Sequence, residues 1–397
     1  MTRRILHLDL DAFFCAVEEL RNPSLHGKSF AVGGQPDSRG VVASCSYPAR
    51  QFGVRSAMPM ARALRLCPEL IIVGSRHSLY GEYSRSVMNI VRNLSPLVEQ
   101  ISIDEAFIDI SDSSESDEVI ARKLQKTIQN ELELPCSIGV ATNKLVAKIA
   151  NDVGKAANRT SSPPNAITIV PTGREAMFLA PLPVGMLWGV GPKTTARLSE
   201  LGISTIGDLA NWPAADLGRR FGKNGYDLSR HALGIDESPI ITSHETKSIS
   251  QETTFAHDIR DEKQLKQTLL ELSEQVGNRL RQEGLGGVTV KLKIRWPDFT
   301  TLTRQITFET SIQQDQQIYL AVVNLFDKIW KTGQPVRLLG VGVSGLDHPI
   351  RQLSLWEAET PNNRTTMSVK EKQLQQAIDD IRQRFGESIL KRGGRSL

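Results

Sequence analysis

The chain carries an acidic strand end close to its start: His7-Leu8-Asp9-Leu10-Asp11-Ala12-Phe13-Phe14. The run Arg4–Leu10 predicts a strand, and Phe13–Leu20 predicts the helix that follows it. A carboxylate inside an apolar strand is costly unless it is paired or binds a metal. This stretch therefore predicts a sheet with acidic side chains at the end of one strand.

A second acidic spot, Ser102-Ile103-Asp104-Glu105-Ala106-Phe107, lies in the strand-like stretch Val98–Ile110. This longer stretch predicts either a strand pair or one bent strand. If both acidic spots belong to one sheet, they can meet and hold divalent cations through carboxylate oxygens. Such a metal pair could activate a hydroxyl nucleophile and neutralise a triphosphate.

Periodicity alone leaves the ligand set of this site open. A lone acidic residue at a strand end is usually a solvated turn residue, so neither spot identifies a metal site by itself. Alternation places Asp9 and Asp11 on one face of their strand. It places Asp104 and Glu105 on opposite faces unless the strand bends there.

Length and composition set broad limits on the protein class. A chain of 397 residues with 40% apolar and 23% charged residues predicts two to four domains of a globular protein. We expect no membrane span and no signal peptide, because the apolar runs are short. Four scattered cysteines argue against a zinc site or disulfides and fit a reducing cytoplasm. A net charge of +4 permits nucleic-acid binding without requiring it.

The first 170 residues alternate strand-like and helix-like runs, which predicts α+β layers around one sheet. Further strands are predicted at Ser29–Gly33, Val41–Ser46, Cys136–Ala141 and Ala166–Val170, and further helices at Pro59–Leu66, Leu79–Leu94, Glu118–Glu131 and Asn143–Val153.

The remainder of the chain changes character twice. Residues 171–240 predict short helical pieces punctuated by glycine and proline, and residues 242–247 a polar linker. From residue 248 a strand–helix–strand–strand–helix–strand order appears, at Ser248–Phe255, Glu262–Gln282, Val288–Trp296, Thr301–Phe308, Gln317–Trp330 and Arg337–Ser344. That order predicts a second, smaller α/β module.

Three blocks of the sequence, taken in chain order, resemble the Y-family DNA polymerases of the DNA polymerase IV (DinB-like) branch. The first and the last are the two acidic blocks above. Between them lies Cys45-Ser46-Tyr47-Pro48-Ala49-Arg50-Gln51-Phe52-Gly53-Val54-Arg55-Ser56. The resemblance implies an α+β multidomain, right-hand polymerase. Its parts would be an α/β palm (1–18 and 77–170), small fingers (19–76), a helical thumb with a helix–hairpin–helix (171–241), the linker (242–247), an α/β little finger (248–346) and a tail (347–397).

The resemblance also separates the roles of the acidic residues. It implies that Asp9 and Asp104 ligate two Mg²⁺ ions and that the backbone carbonyl of Leu10 contributes to one of them. Glu105 matches the acidic catalytic residue near the primer 3′-hydroxyl. Asp11 matches a position that is not a usual ligand, so it is set aside. The same assignment implies a bent strand at Asp104-Glu105.

Phe14 matches the steric gate, whose flat ring leaves no room for a ribose 2′-hydroxyl. The alternative is that Phe13 and Phe14 are both core residues; of the two, we expect Phe13 to point inward. Ala43 and Ala57 match small residues that roof the nascent base pair, and simple packing alanines are the alternative.

Tyr47, Arg50 and Lys155 match residues that hold the incoming triphosphate. Tyr47 and Arg50 are three residues apart on a helical turn, so they share a face and can contact one anion. Relatives usually follow the lysine with a short turn, whereas the loop Ala156–Pro164 is longer here. The direction in which the Lys155 side chain points therefore depends on the conformation of that loop.

Two stretches are predicted to hold DNA. The sequence Leu187-Trp188-Gly189-Val190-Gly191-Pro192-Lys193-Thr194 predicts a helix–hairpin–helix, in which Gly189, Gly191 and Lys193 can meet a phosphate. Lys291, Lys293 and Arg295 alternate with apolar residues and so share one strand face. In a little finger, that face would contact the phosphate backbone without reading sequence.

Gln352, Leu353, Leu355 and Trp356 in the tail resemble the peptide that binds the bacterial sliding clamp. Apolar and aromatic side chains of this kind suit a hydrophobic pocket on a partner. Two departures stand out: tryptophan replaces the commoner phenylalanine, and about 40 residues follow the motif.

The resemblance, together with these features, implies a cytoplasmic, monomeric, template-directed DNA polymerase of the translesion type, with low fidelity and no proofreading. Its expected partners are primer–template DNA, deoxynucleoside triphosphates and the sliding clamp. Two other hypotheses stay open: a two-metal nucleotide cyclase, and a catalytically inactive DNA- or clamp-binding protein.

Overall fold

The computed structural model describes residues 3–157 and 162–348, together with the single positions Ala377, Ile381 and Arg384. The chain divides into two compact units, and the division falls between His244 and Glu245. This point lies inside the polar stretch predicted as a linker.

The first unit contains, in chain order, β1 (Ile5–Leu10), α1 (Phe13–Arg21), β2 (Phe30–Gly33), β3 (Val42–Cys45), α2 (Tyr47–Gln51), α3 (Met60–Leu66), β4 (Ile71–Val73), α4 (His77–Leu94), β5 (Val98–Gln100), β6 (Glu105–Asp109), α5 (Asp117–Leu132), β7 (Cys136–Ala141), α6 (Lys144–Ala157), β8 (Ile167–Ile169), α7 (Glu175–Leu179), α8 (Pro192–Ser199), α9 (Ile206–Ala210), α10 (Ala214–Phe221) and α11 (Lys223–Ala232). The strands and helices predicted for the first 170 residues are confirmed, with small differences at their ends. The short strand β4 was not predicted.

The main sheet of this unit has five strands in the order β5-β6-β1-β7-β8. The central strand β1 pairs antiparallel with β6 on one side and with β7 on the other. Its apolar side chains are fully buried, and they anchor a core shared with α1, α4 and α5. The acidic end of β1 is therefore fixed by neighbours on both sides.

A smaller sheet, in the order β3-β2-β4, has a separate core. The helices from α7 to α11 have no strand among them, as predicted, and they share a core with α6 and one face of the main sheet. Both parts are thus packed around the elements that carry the acidic residues.

The second unit contains β9 (Ser248–Ile259), α12 (Glu262–Gln282), β10 (Gly286–Arg295), β11 (Thr301–Ile312), α13 (Asp315–Asp327) and β12 (Val336–Asp347). Its antiparallel sheet has the order β11-β10-β12-β9, and both helices contribute to one core against it. The predicted element order is confirmed. Within the described ranges, no helix is both long and apolar enough to cross a membrane.

Helix α6 lies directly on the main sheet because β7 has a glycine at the contact. A methyl group at Gly139 would lie 2.0 Å from the carbonyl oxygen of Ala147 and 2.6 Å from the nitrogen of Asn151. Asn151 is fully buried, and its Nδ2 donates to the backbone oxygens of Ser137 (3.0 Å) and His7 (3.3 Å). The glycine sets the height of the helix, and the asparagine sets its register against β7 and β1.

Replacing Gly139 with alanine should force α6 away from the sheet. We expect a loss of about 1–3 kcal/mol in the free energy of unfolding, because the added carbon meets rigid backbone. Gly74→Ala is the matched control: nothing lies within 4 Å of the added methyl there, so its effect should stay within about 0.5 kcal/mol. Equal stability of the two variants in denaturant titrations would show that Gly139 is not needed for the close contact between α6 and the sheet.

His7 provides a pH-dependent check of the same contact. Burial holds its pKa well below the ordinary value of 6.5, and the charges of Lys148 and Lys155 lower it further. Below pH 6.5 the unfolded chain binds a proton at this residue and the folded chain does not, so stability falls as the pH decreases. We expect His7→Gln to remove this contribution, which is at most about 1.4 kcal/mol per pH unit. A wild-type minus variant difference that stays constant with pH would show that His7 titrates alike in both states.

Candidate active site

The acidic residues meet at one end of the main sheet. Asp9 on β1 lies directly opposite Glu105 on β6 in the antiparallel register. Asp104 lies in the turn between β5 and β6, and its carbonyl oxygen accepts a hydrogen bond from the nitrogen of Leu10 (3.0 Å). The expected bend within a strand at Asp104-Glu105 is wrong: the stretch is a strand pair, and Asp104 precedes the second strand. Alternation therefore does not apply to Asp104.

Asp9 and Asp104 line one cavity of about 320 Å³. Its walls come from the end of β1, the start of α1, the β5–β6 turn, α6 and the smaller sheet. The lining residues are Asp9, Leu10, Ala12, Phe13, Phe14, Ala43, Ser44, Arg50, Ser56, Ile103, Asp104 and Lys155. Glu105 is not among them, although it is the strand partner of Asp9.

Each of the three carboxylates has a polar partner of its own. Lys155 Nζ lies 2.5 Å from Asp9, and the Ser102 hydroxyl donates to Asp104 at 2.6 Å. Lys148 Nζ donates to both carboxylate oxygens of Glu105, at 3.0 and 3.1 Å. The carboxylates are thus held in fixed positions.

Burial and mutual repulsion both act on this cluster. Burial raises the pKa of Asp104, and the charge of Asp9 raises it further, against the opposing hydrogen bond from Ser102. The pKa of Glu105 is raised by burial and by Asp9, with Lys148 opposing the change. Partly buried carboxylates that repel one another favour a nearby cation.

The donor chemistry at the cavity fits a hard divalent cation. In the part of the chain that the structure describes, no three carboxylate, imidazole or thiol groups are already gathered as a chelating set. Asp9 and Asp104 nevertheless offer carboxylate oxygens to the same cavity, which Leu10 also lines. Oxygen donors of this kind are the ones that Mg²⁺ prefers. The residues present therefore fit a metal held by Asp9 and Asp104.

Asp11 is committed to holding the structure. It is fully buried; the single Ser137 hydroxyl donates to its carboxylate and lies 2.8 and 3.0 Å from the two oxygens, and the nitrogen of Asn165 donates to it at 3.1 Å. It also lies 3.3 Å from Lys155 Nζ. Its oxygens tie the end of β1 to β7, to the chain before β8 and to α6.

The two phenylalanines after Asp11 both line the cavity but differ in exposure. Phe13 is 2% exposed and belongs to the core, as expected. Phe14 is half-buried, lines the cavity and stacks on Tyr80 with ring centroids 4.3 Å apart and planes 14° apart. The Tyr80 hydroxyl donates to Glu18 at 2.7 Å. Sequence reasoning missed Tyr80 because only its place on a helix could be inferred.

Ala43 and Ala57 are both exposed, so the alternative of packing alanines is wrong. Ala43 lines the cavity. Ala57 has a φ of 64°, in the left-handed region, and its nitrogen donates to the carbonyl oxygen of Val42 at 2.9 Å. Its neighbour Ser56 is the residue of this turn on the cavity wall.

A second, basic cavity of about 660 Å³ lies beside the first and shares Arg50 and Lys155 with it. The Arg50 guanidinium lies over the Tyr47 ring, 4.4 Å from its centroid. The remaining lining residues, which include two charged side chains that sequence reasoning missed, are Gln51, Arg55, Asp152 and Ala156. The structure therefore brings Tyr47, Arg50 and Lys155 together.

The helix–hairpin–helix residues lie at the surface of the first unit. Gly189 has a φ of 91°, and Gly191 caps the N-terminus of α8. Lys193 is exposed in the first turn of α8. A side-chain carbon at either glycine would meet nothing within 4 Å, so both backbones face open space. The element before the hairpin is only a three-residue 3₁₀ turn, Val184–Met186.

In the second unit, Lys291, Lys293 and Arg295 share a half-buried face and alternate with buried residues, as expected. Lys293 reaches Glu252 at 2.7 Å. The two residues flank Gly340, whose missing side chain leaves the space between them. One of the three positive charges is thus partly neutralised, which the sequence pattern did not indicate. The clamp-motif residues Gln352, Leu353, Leu355 and Trp356 lie outside the described residues.

Sequence models of one family match most of the chain. The impB/mucB/samB family matches residues 8–152, the HHH motif of the IMS family matches residues 173–203, and the impB/mucB/samB C-terminal domain matches residues 246–355. Among curated relatives, a DNA polymerase IV of Dehalococcoides mccartyi is 40% identical over 98% of this chain and 97% of its own. One from Listeria innocua is 38% identical over 87% of this chain and 96% of its own.

Solved structures agree with these matches. A Y-family DNA polymerase chimera of Dbh and Dpo4 has a TM-score of 0.75 at 26% identity, over 86% of this chain and 98% of its own. An insertion ternary complex of Dbh DNA polymerase has a TM-score of 0.61 at the same identity and coverage. The chain therefore belongs to the impB/mucB/samB family and is a Y-family DNA polymerase of the DNA polymerase IV branch, a DNA-directed enzyme of the translesion type.

Proposed function

We propose that the chain extends a primer by two-metal phosphoryl transfer, with Asp9, Asp104 and Glu105 as its catalytic carboxylates. The observation that carries this proposal is the shared cavity of Asp9, Asp104 and Phe14, next to the basic cavity of Tyr47, Arg50 and Lys155. A nucleotide could place its sugar in the first and its phosphates in the second.

The domain boundaries follow from the same proposal. Residues 1–18 and 77–170 form the palm, residues 19–76 the fingers and residues 171–241 the thumb. Residues 242–247 form the linker, residues 248–346 the little finger and residues 347–397 the tail. One sheet lies in each of the proposed palm, fingers and little finger, and the helices α7 to α11 lie in the proposed thumb. This arrangement supports the division.

Y-family DNA polymerases depend on metal ions, and two Mg²⁺ ions are proposed for this site. Asp9, Asp104 and the carbonyl of Leu10 would hold them. When bound, such ions make the primer hydroxyl more acidic and neutralise charge on the triphosphate. Glu105 lies opposite Asp9 in the register. It would be close to the primer 3′-hydroxyl, where a carboxylate can accept the departing proton.

Three cationic or hydrogen-bonding side chains would bind the triphosphate. Arg50 and Lys155 line both cavities, and Tyr47 is fixed beside Arg50 by the stacked guanidinium. Lys155 would exchange its contact with Asp9 for a phosphate oxygen. Charge-assisted hydrogen bonds of this type both hold the nucleotide and align its α-phosphate.

Phe14 would exclude ribonucleotides. Its ring is backed by Tyr80, so it cannot retreat from a 2′-hydroxyl without breaking the stack. The exposed Ala43 and Ala57 would roof the nascent base pair. Small side chains at a roof leave room for damaged template bases, which suits translesion synthesis.

The proposed DNA contacts are independent of base sequence. Gly189, Gly191 and Lys193 present an open N-terminal turn to a phosphate of the duplex. Lys291, Lys293 and Arg295 would follow the phosphate backbone from the little finger. A sliding clamp bound through Gln352, Leu353, Leu355 and Trp356 would keep the enzyme on its template. We further propose a monomer that acts on DNA in the cytoplasm.

Two observations favour this function over the alternatives. A nucleotide cyclase does not need to bind duplex DNA. The chain nevertheless matches the family's HHH motif and C-terminal domain, which carry the proposed DNA contacts. An inactive binding protein has no need of the carboxylates, yet all three are present and held in place.

Magnesium-dependent primer extension on an undamaged template tests the catalytic assignment. We expect Asp104→Ala and Glu105→Ala to slow extension by about 100-fold or more, because each removes a group that acts on the reacting atoms. Glu131→Ala, an exposed acid on α5, is the control and should extend like the wild type. The proposal is wrong if the wild type does not extend a primer, or if the two variants match it.

Sugar selection tests Phe14 separately. In Phe14→Ala the cavity gains space for a 2′-hydroxyl, so the preference for deoxyribonucleotides, as a ratio of kcat/KM values, should fall about tenfold or more. Phe52→Ala is the matched control, since this phenylalanine is 54% exposed and lines neither cavity. An unchanged ratio in Phe14→Ala would mean that Phe14 is not the gate.

A further inference from the structure

One face of α6 delivers three lysines to carboxylates of the main sheet. Lys144, Lys148 and Lys155 are spaced by four and seven residues, which places them on the same side of a helix. Lys144 Nζ lies 2.9 Å from Glu99 on β5, and Lys155 pairs with Asp9 and Asp11. Lys148, between them, holds Glu105. None of the assignments above gives Lys148 a role.

The contact between Lys148 and Glu105 is close and shielded. The ammonium donates to both carboxylate oxygens, at 3.0 and 3.1 Å. The side chains are 14% and 22% exposed, so water screens the pair less than it would at the surface. Two hydrogen bonds from one donor fix the plane of the Glu105 carboxylate as well as its distance.

Both ends of this contact are themselves fixed. Glu105 lies in β6, and its backbone is held in place because its nitrogen donates a hydrogen bond to the Ser102 hydroxyl at 3.0 Å. Lys148 lies on α6, between the positions where Gly139 sets the height of the helix and Asn151 sets its register. The pair therefore has a built-in geometry rather than a chance surface contact.

A direct role for Lys148 in nucleotide binding has less support. Lys155 lines both cavities, whereas Lys148 lines neither. Its described hydrogen bonds both go to Glu105. Lys148 is thus placed to act on the reaction through Glu105 and not through the triphosphate.

We propose that Lys148 is a positioning residue, which holds the Glu105 carboxylate in the orientation needed at the primer 3′-hydroxyl. This inference rests on the proposed function of Glu105. Without the ammonium, Glu105 would rotate about its side-chain bonds and would be repelled by Asp9. Loss of orientation slows the chemical step while leaving nucleotide binding in place.

The first test is single-nucleotide insertion by Lys148→Met and Lys148→Arg, with the active fraction measured by DNA titration. For Lys148→Met we expect kcat to fall about tenfold or more and KM for the nucleotide to change less than about twofold. Lys148→Arg keeps a charged donor and should recover most of the rate. A raised KM with unchanged kcat would instead mean that Lys148 binds nucleotide, and would overturn the proposal.

A double-mutant cycle with Glu105 gives a readout that a merely structural lysine would not affect. In a Glu105→Gln background, Lys148→Met should reduce kcat less than about twofold further, because the group it positions is already altered. Equal losses from Lys148→Met in both backgrounds would show that the lysine acts independently of Glu105.

Lys144→Met is the matched control, since it removes an ion pair from the same face of α6 at a site outside both cavities. We expect it to lower the melting temperature while the folded enzyme keeps its kcat. If Glu105→Gln does not slow insertion, the proposed function of Glu105 fails. If Glu105→Gln slows insertion and Lys148→Met does not, only the role of Lys148 fails.

Discussion

The candidate active site depends on the packing of α6 against β1 and β7. Gly139 allows the helix to touch the sheet, and Asn151 bonds to the backbone of both strands. Because Lys148 and Lys155 project from this helix, their distances to Glu105 and Asp9 follow from that packing. A shift of the helix would change both of these contacts.

Charge balance explains why the carboxylates can be partly buried in one place. Burial raises the pKa values of Asp104 and Glu105, and the nearby charge of Asp9 raises both further. The two lysines oppose this effect and keep the site compatible with folding. Metals and a triphosphate would take over part of that balance during the reaction. Lys155 lines both cavities, so it is the side chain best placed to move from the Asp9 carboxylate to a phosphate oxygen.

Much of the fold could be predicted from periodicity. The strict alternation of the strand that contains Lys291, Lys293 and Arg295, and the apolar run before Asp9, locate their strands without further information. The turn at Asp104 could not be predicted in the same way. A strand pair and a bent strand share one hydrophobic pattern, and only the register of β5 with β6 separates them.

Most of the candidate site was predictable from the family resemblance, including Lys155 and Ala43, which lie outside the three motif blocks. Asp9, Asp104, Phe14, Tyr47 and Arg50 lie in the three blocks that carry the resemblance. Tyr80, Lys148 and Glu252 act through contacts between residues far apart in sequence, and no local pattern indicates such partners. The packing alternative for Ala43 and Ala57 failed for the same reason, since exposure depends on tertiary structure.

A crystal structure with primer–template DNA, an incoming deoxynucleotide and Mg²⁺ would show where the metals and the nucleotide bind. We expect metal bound to Asp9 and Asp104, the sugar against Phe14, and the triphosphate on Tyr47, Arg50 and Lys155, with Lys155 released from Asp9. Metal bound at other residues, or a nucleotide outside these two cavities, would contradict this expectation.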